Sequence, residues 1–453
     1  MHYTQIYFRK VKFLLGKDLK KLIPICFAFI LATLLDLIGL GIIAGYIALI
    51  IDISMFRDFI KDYPFLRIVG ALSDGELILN VGIALVLIFT FKFISTIGIN
   101  YLIFRFASLQ QSKLQKDMMR YLLRQSYEDF ISRNSAEYLS AITNATRGYK
   151  AVLKAVLTLV STVTVLIGVL FALVIVNYQI VLGLLGMFVP VFFIFNKYFQ
   201  SRLFSYGQNF NEGITSMLKD SSEASRGFKE INILGKGSFF EKSFDKGVNK
   251  VFNAQIRLDL VSITPRNLIE VVLIIFLVSV MAINTFLERD MAETIITLGV
   301  FAAASIRIAP MFSLLQTSFN EIFTSEAAIT MLYRFLSQEK DYKSVVNPTS
   351  NKLEGSMTPD ERAFKIFRME NISYSYPSSK IKTIDSLSLE INAGDYVGFV
   401  GLSGAGKTTL IDIFLGLLRP NEGKVLFDNR DMYSNLQDWR SKIAYLPQEI
   451  FLI

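Results

Sequence analysis

Residues 397–410 read VGFVGLSGAGKTTL, and this stretch decides how the C-terminal part of the chain folds. Residues 401–408 follow the pattern G-x-x-x-x-G-K-[ST]. The apolar run before them predicts a buried strand ending at Gly401, and the residues after them predict a helix. Glycines let backbone N–H groups turn inward, and a helix N-terminus adds partial positive charge. The stretch therefore predicts a loop that cradles phosphate groups.

The residue types in this loop suit a nucleotide triphosphate and its metal ion. Lys407 is expected to reach the β- and γ-phosphates of ATP, and the Thr408 hydroxyl is expected to bind Mg²⁺. The predicted cofactors are therefore ATP and Mg²⁺. The predicted nucleotide-binding residues of the loop are Gly401, Ser403, Gly404, Ala405, Gly406, Lys407, Thr408 and Thr409.

Upstream of the loop the composition excludes an ordinary soluble protein. Of the 453 residues, 52% are hydrophobic and only 19% are charged, against about a quarter charged in globular domains. The apolar residues fall in six runs, which predict six membrane-spanning helices. These runs are residues 22–51, 77–106, 151–176, 180–195, 268–287 and 295–315. The lone cysteine, Cys26, lies in the first run, so no internal disulfide is possible.

The positive charges predict which side of the membrane each connection faces. Lys and Arg cluster before the first run, in residues 105–150 and in residues 197–266, whereas residues 177–179 carry no charge. The positive-inside rule places the N-terminus and both basic segments in the cytoplasm, and six crossings return the C-terminus there. This clustering explains the net charge of +8 better than nucleic-acid binding does.

Three regions follow from these patterns. Residues 1–336 are predicted as the transmembrane domain, residues 337–363 as a polar linker, and residues 364–453 as the first part of an α/β nucleotide-binding domain. Alternating residues at 372–376 and 387–391 predict strands, as does the segment around Tyr445. Residues 55–60 are either a short amphipathic helix on the outer surface or an ordinary packed loop.

This order of domains, with several further motifs, resembles the ABC transporter family over the whole chain. Tyr376, within Tyr-Ser-Tyr-Pro, stands where that family stacks an aromatic ring on adenine, although a strand aromatic in a small core would look the same. Gln448 matches the family's Q-loop glutamine, which implies a catalytic role and contact with Mg²⁺. Residues 127–137 and 226–239 match the helices that couple the membrane domain to the ATPase domain.

The resemblance also implies parts that do not appear before residue 453. The family's signature motif, its Walker B strand and its catalytic glutamate follow the Q-loop, and the sequence ends five residues after Gln448. The chain is therefore expected to be a C-terminally truncated ATP-hydrolysing translocase that is inactive alone. The resemblance further implies a partner, either a second copy of the chain or a related half-transporter, and an exporter-type membrane domain in the bacterial inner membrane.

Within that family the chain resembles bacterial flippases of lipid-linked oligosaccharides. That resemblance implies a substrate cavity with Lys92, Arg266 and Arg307 facing a lipid pyrophosphate, and an amphipathic glycolipid as substrate. A charge in an apolar run is costly and normally faces a cavity or a partner. For Lys92, an ion pair with Asp36 is the structural alternative. Two other functions stay open: export of another lipid, a peptide or a drug, and regulation by ATP without transport.

Overall fold

The computed structural model describes residues 2–51, 53, 73–176, 178–286, 291–345, 365–377, 379 and 381–447. Contacts divide the chain into two units. Unit 1 comprises Met1–Met119 and Leu139–Ser337, and unit 2 comprises Arg120–Tyr138 and Gln338–Ile453. The predicted surface helix at residues 55–60 lies outside the described residues, as does the linker from residue 346 onward.

Long helices make up nearly all of the described part of unit 1. In chain order, and with the short helices included, they are α1 (His2–Leu15), a 3₁₀ turn (Gly16–Leu22), α2 (Ile23–Ile51), α3 (Asp74–Arg124), α4 (Tyr127–Ile131), α5 (Ser135–Ser140), a π-helical turn (Ala141–Ala145), α6 (Thr146–Val176), α7 (Tyr178–Arg226), α8 (Phe228–Leu234), α9 (Gly237–Phe286), α10 (Met291–Thr324) and α11 (Glu326–Val345). Helix α4 belongs to unit 2. Helix α11 continues past residue 337, where the sequence predicts the linker.

The lengths of these helices follow from the apolar runs. Helix α3 has 51 residues, so at about 1.5 Å per residue it is more than twice as long as a hydrocarbon core of about 30 Å. Among the described residues, four helical stretches are long and apolar enough to cross a membrane: Asp18–Gly39, Asp74–Arg124, Ser135–Phe171 and Val181–Arg226. The fifth and sixth predicted spans fall on α9 and α10, and the count of six stays a prediction.

Interdigitated aromatic and aliphatic side chains join α6, α7, α9 and α10. Phe312 of α10 lies between Phe188 and Phe192 of α7, with ring centroids 5.2 and 5.5 Å apart. Ile269 of α9 and Val169 of α6 belong to the same buried cluster. Lipid tails are as apolar as these side chains, so close van der Waals fit rather than water exclusion holds such helices together.

The N-terminal helix is fastened to the end of α10 and the start of α11. The Tyr7 hydroxyl donates a hydrogen bond to the Ile322 carbonyl at 3.1 Å, and the Lys10 ammonium donates to Thr330 Oγ1 at 2.9 Å. The Phe13 ring meets the Tyr333 ring edge-on at 5.0 Å. The N-terminal helix and the end of α10 therefore lie at the same end of unit 1, and the side of the membrane that they face stays a prediction.

Gly207 lets α7 approach α10 more closely than any side chain would allow. A Cβ atom at this position would overlap the Thr324 carbonyl oxygen and lie 2.9 Å from its carbonyl carbon. We expect Gly207→Ala to lower the thermal midpoint of the purified protein in detergent, because overpacking costs about 1–3 kcal/mol. Gly186→Ala, on the same helix but with no atom within 4 Å of the new Cβ, is the matched control. Equal midpoints for the two variants would contradict this packing.

The described part of unit 2 contains a small antiparallel sheet with two helices packed on it. The strands β1 (Ile366–Tyr374), β2 (Ile384–Asn392), β3 (Glu422–Phe427) and β4 (Arg430–Asp431) have the order β2-β1-β3-β4. The helices are α12 (Lys407–Phe414) and α13 (Leu436–Ser441). Phe367 is fully buried against Phe414 and Trp439, with ring centroids 4.6 and 4.9 Å away. A long helical region followed by a sheet-containing fragment confirms the predicted fold class.

Two of the predicted strands do not form in the described part of unit 2. Residues 397–400 and 443–447 pair with no strand of the sheet, and Val400 and Leu446 are 99% and 84% exposed. The prediction was wrong there because an apolar run becomes a buried strand only when neighbouring strands supply hydrogen bonds. The described residues supply no such neighbour for either run. Strand β1 also ends at Tyr374, two residues earlier than the alternation predicts.

Candidate nucleotide site

The loop that the sequence predicts to bind phosphate ends at the first turn of α12. Gly406 is the N-cap of that helix, with φ at +84°, and Gly404 has φ at +85°. Side chains are strained at such angles, which glycine adopts freely. A Cβ atom on Gly406 would also lie 2.8 Å from the Thr383 carbonyl oxygen. The second glycine of the motif is therefore required both by its backbone angle and by the close approach of the residue that precedes β2.

The Lys407 ammonium is held within this loop. It donates hydrogen bonds to the carbonyl oxygens of Gly401 and Leu402, both at 2.8 Å. An ammonium has three donors and no acceptor, so the same group is suited to phosphate oxygens. The next residue, Thr408, follows at the first turn of the helix. A cation, a hydroxyl and a helix N-terminus thus lie together, and this donor set fits ATP with Mg²⁺.

Tyr376 and Thr409 meet, although 33 residues separate them in sequence. The Tyr376 hydroxyl and Thr409 Oγ1 are 3.0 Å apart, and Thr409 is 5% exposed. The candidate adenine-stacking residue is therefore fixed to the helix that begins at the phosphate loop. The Thr409 hydroxyl thus helps to position Tyr376, and its binding to nucleotide stays a prediction.

A short helix from far upstream is part of this site in unit 2. Ser126 caps α4 by accepting a hydrogen bond from the Asp129 amide at 3.1 Å. The Tyr374 hydroxyl donates to Glu128 Oε1 at 3.0 Å, and the Tyr374 ring meets the Tyr376 ring edge-on at 5.1 Å. A chain of direct contacts thus runs from α4 through Tyr374 to Tyr376.

The Tyr374 hydroxyl stays a donor at any physiological pH. Burial raises the pKa of Tyr374 well above its usual value, and the nearby Glu128 carboxylate raises it further. Tyr127 of α4 packs against the same core, and burial raises the pKa of its hydroxyl too. Sequence reasoning missed Glu128 and Tyr374 as site residues. The Tyr-Ser-Tyr spacing was the available signal for Tyr374, since residues two apart share one side of a strand.

The other predicted site residues are described only in part. Gln448 lies outside the described residues, and so do the side chains of Arg307 and Asp36. Lys92 is half-buried on α3, with its ammonium 5.2 Å from the centre of the Phe89 ring. The Arg266 guanidinium is exposed on α9 and lies 3.8 Å from the Glu270 carboxylate, one turn further along. Within the described residues, no group of three His, Cys, Asp or Glu side chains could hold a metal ion.

Comparisons with known proteins agree with both parts of the chain. The family model for the ABC transporter transmembrane region matches residues 22–303, and the ABC transporter model matches residues 384–453. An ATP-dependent lipid A-core flippase of Francisella tularensis (strain FSC 198) is 24% identical over 392 residues, which are 84% of this chain and 61% of the relative. The flippase of the same name from Neisseria meningitidis serogroup B (strain MC58) is 22% identical over 343 residues, covering 75% of this chain and 53% of the relative. The chain thus spans at most 61% of the length of these relatives.

Proposed function

The chain belongs to the ABC transporter family, and from that premise we propose that it is the membrane and nucleotide-binding part of an ATP-driven flippase for a glycolipid. The observation that carries the proposal is the presence, in one chain, of a glycine-constrained phosphate loop and helices long enough to cross a membrane. The nucleotide-binding residues are those of the loop, with Tyr376 stacking on adenine and Thr408 and Gln448 binding Mg²⁺. Residues 1–336, 337–363 and 364–453 are its membrane domain, linker and ATPase fragment.

Relatives named lipid A-core flippases support a lipid substrate with a sugar headgroup. The finer proposal is a polyprenyl-pyrophosphate-linked oligosaccharide, moved across the bacterial inner membrane with both termini of the chain in the cytoplasm. In this proposal Lys92, Arg266 and Arg307 contact the pyrophosphate. Lys92 lies within an apolar stretch of α3, where a charge costs several kcal/mol unless a cavity or partner accommodates it.

The exposed apolar residues of α8 support a second copy of the chain as the partner. Phe228, Ile233 and Leu234 are each between 67% and 73% exposed on a helix of only seven residues. Gly235 ends this helix in a left-handed conformation, which keeps it a short separate element. Grouped apolar side chains at the tip of two long helices are typical of a surface that another protein covers.

The proposal is tested with the full-length protein in liposomes. We expect ATP, and not a non-hydrolysable analogue, to drive translocation of a fluorescent lipid-linked oligosaccharide or of lipid A, measured by protection of the headgroup from an added reagent. Arg307→Ala should slow translocation of the pyrophosphate-linked lipid about tenfold or more, because a charge-assisted hydrogen bond contributes about 1.5–3 kcal/mol.

Three results would count against this function. Translocation of peptides or drugs alone would favour another exporter class. ATP binding without translocation of any tested substrate would favour a regulatory protein. Normal flipping of pyrophosphate-linked lipid by a folded Arg307→Ala variant would exclude the proposed pyrophosphate contact. It would leave the proposal of an ATP-driven transporter in place.

A further inference from the structure

The N-terminal segment of the chain is attached to unit 1 at two separate places. This segment, called the N-terminal strap below, consists of α1 and the 3₁₀ turn that follows it. Tyr7, Val11 and Leu15 of α1 are buried, and they are four residues apart. Phe8 and Lys12 are exposed. Residues four apart share one side of a helix, so α1 packs on unit 1 with one side only.

The first attachment lies at the joint between α10 and α11. Ser325 is a turn residue between these two helices. The Tyr7 hydroxyl bonds to the Ile322 carbonyl before that turn, and the Lys10 ammonium bonds to Thr330 after it. The ends of helices are where hinge motions are usually absorbed. Contacts on both sides of the turn therefore fix the angle between α10 and α11.

The second attachment lies on α3. Asp18 of the 3₁₀ turn is 9% exposed, and its carboxylate lies 2.8 Å from the Lys113 ammonium of α3. The Lys21 ammonium, within the strap itself, is also 2.8 Å from this carboxylate. A carboxylate that is removed from water is costly unless it is paired. The ion pair with Lys113 therefore keeps this end of the strap on α3.

The strap between its two attachments is short. Only four residues separate Phe13, which contacts α11, from Asp18, which contacts α3. One of them is Gly16, whose φ of +55° is left-handed and lets the chain turn out of α1. The others are helical. The two attachments therefore cannot move apart unless the strap unwinds.

The helices that the strap joins are also helices that continue into unit 2. Helix α3 passes the boundary at Met119 and ends at Arg124, and α11 passes the boundary at Ser337 and ends at Val345. The chain crosses between the units at one further place, within α5. A continuous helix is a rigid element that can carry a displacement along its length. The strap thus connects two of the three crossing helices at their unit 1 ends.

We infer that Tyr7, Asp18 and Lys113 are positioning residues for ATP-driven transport, because through them the strap holds α3 and the α10–α11 joint at a fixed spacing. This inference rests on the proposed function. A displacement that enters unit 1 through one of these helices is shared with the other, and it is not lost in an independent tilt of each. Helix α10 packs on α6, α7 and α9 through the cluster around Phe312, so a displacement of the joint reaches those helices as well.

The first test releases the strap from α3. Lys113→Gln in the full-length protein leaves Asp18 paired with Lys21, so the variant is expected to fold. We expect the number of lipid A molecules translocated per ATP hydrolysed in liposomes to fall about fivefold or more, the lower end of typical coupling between distant sites. ATP turnover without lipid should stay at the wild-type rate, because no strap residue belongs to the nucleotide site. Lys113→Arg, which keeps the charge, and Lys116→Gln, which removes an exposed lysine of the same helix, should both stay coupled.

The second test releases the other end and then both ends. Tyr7→Phe/Lys10→Gln removes the two hydrogen bonds at the α10–α11 joint and should cause the same loss of coupling. Adding Lys113→Gln to it should cause no further loss, because a strap that is free at one end already joins nothing. Two independent local effects would multiply instead. Phe8→Leu/Lys12→Gln, on the exposed side of α1, is the matched control and should behave as the wild type.

Amide hydrogen exchange tests the strap without any transport. Lys113→Gln should speed exchange in residues 322–337 as well as around residue 113, whereas Lys116→Gln should speed neither. Exchange that changes only around residue 113 would overturn the inference. So would multiplied losses in the combined variant, unchanged coupling in folded variants, or a loss of ATP turnover in proportion to transport. A wild-type protein that translocates no lipid, but whose Lys113→Gln variant shows the remote change in exchange, would overturn the proposed function and leave the link between the two attachments standing.

Discussion

Lys407→Ala in the full-length protein is expected to reduce ATP turnover by about 100-fold or more. Its ammonium is the cation of the phosphate loop, 2.8 Å from the carbonyl oxygens of Gly401 and Leu402. A preorganised positive group aimed at phosphate oxygens acts mainly on the charge that develops during transfer, and removing one such group costs on the order of 100- to 1,000-fold. The measurement is phosphate release by the purified protein in liposomes, together with photolabelling by an azido-ATP analogue.

Lys424→Ala is the matched control for this prediction. Lys424 is an exposed lysine of β3 in the same unit, and it has no place in the loop. We expect ATP turnover by the Lys424→Ala variant to equal that of the wild type. The Lys407→Arg variant keeps the positive charge but replaces a compact ammonium with a larger planar guanidinium, so this variant should recover little ATP turnover. Wild-type turnover in Lys407→Ala, with an unchanged elution profile, would remove the nucleotide site from this loop.

Gly406→Ala should abolish nucleotide binding for a different reason. The substitution places a Cβ at a residue with φ at +84° and 2.8 Å from the backbone oxygen of Thr383. The strain of a left-handed residue costs about 1–2 kcal/mol, and overpacking against a rigid backbone atom costs about 1–3 kcal/mol more. The loop must shift to relieve both, and that shift moves the Lys407 ammonium and the start of α12 away from the phosphates.

The Gly404→Ala variant separates the effect of backbone strain from the effect of overlap between the new Cβ and a neighbouring atom. Gly404 has nearly the same φ, +85°, but no atom lies within 4 Å of a Cβ built there. We expect azido-ATP labelling to be lost in Gly406→Ala and reduced by about tenfold in Gly404→Ala. A backbone strain of about 1–2 kcal/mol corresponds to roughly one decade in affinity. Equal labelling of the two variants would show that contact with Thr383 has no effect on the loop.

Local patterns in the sequence were enough to locate the helices and the phosphate loop. The apolar runs at residues 77–106 and 151–176 lie inside α3 and α6, because a helix satisfies its own backbone hydrogen bonds and needs no partner to form in lipid. The glycines at 404 and 406 were likewise identified from sequence alone. Their left-handed angles are a property of each residue and its neighbours along the chain.

Only the tertiary structure decided which distant groups touch. The hydrogen bond of Tyr374 to Glu128 and the bond between Tyr376 and Thr409 join residues that no local pattern links. The failed strand at residues 397–400 has the same cause, since a strand takes its hydrogen bonds from another segment. Periodicity tells which side of an element is apolar, and only the packing of elements determines what that side meets.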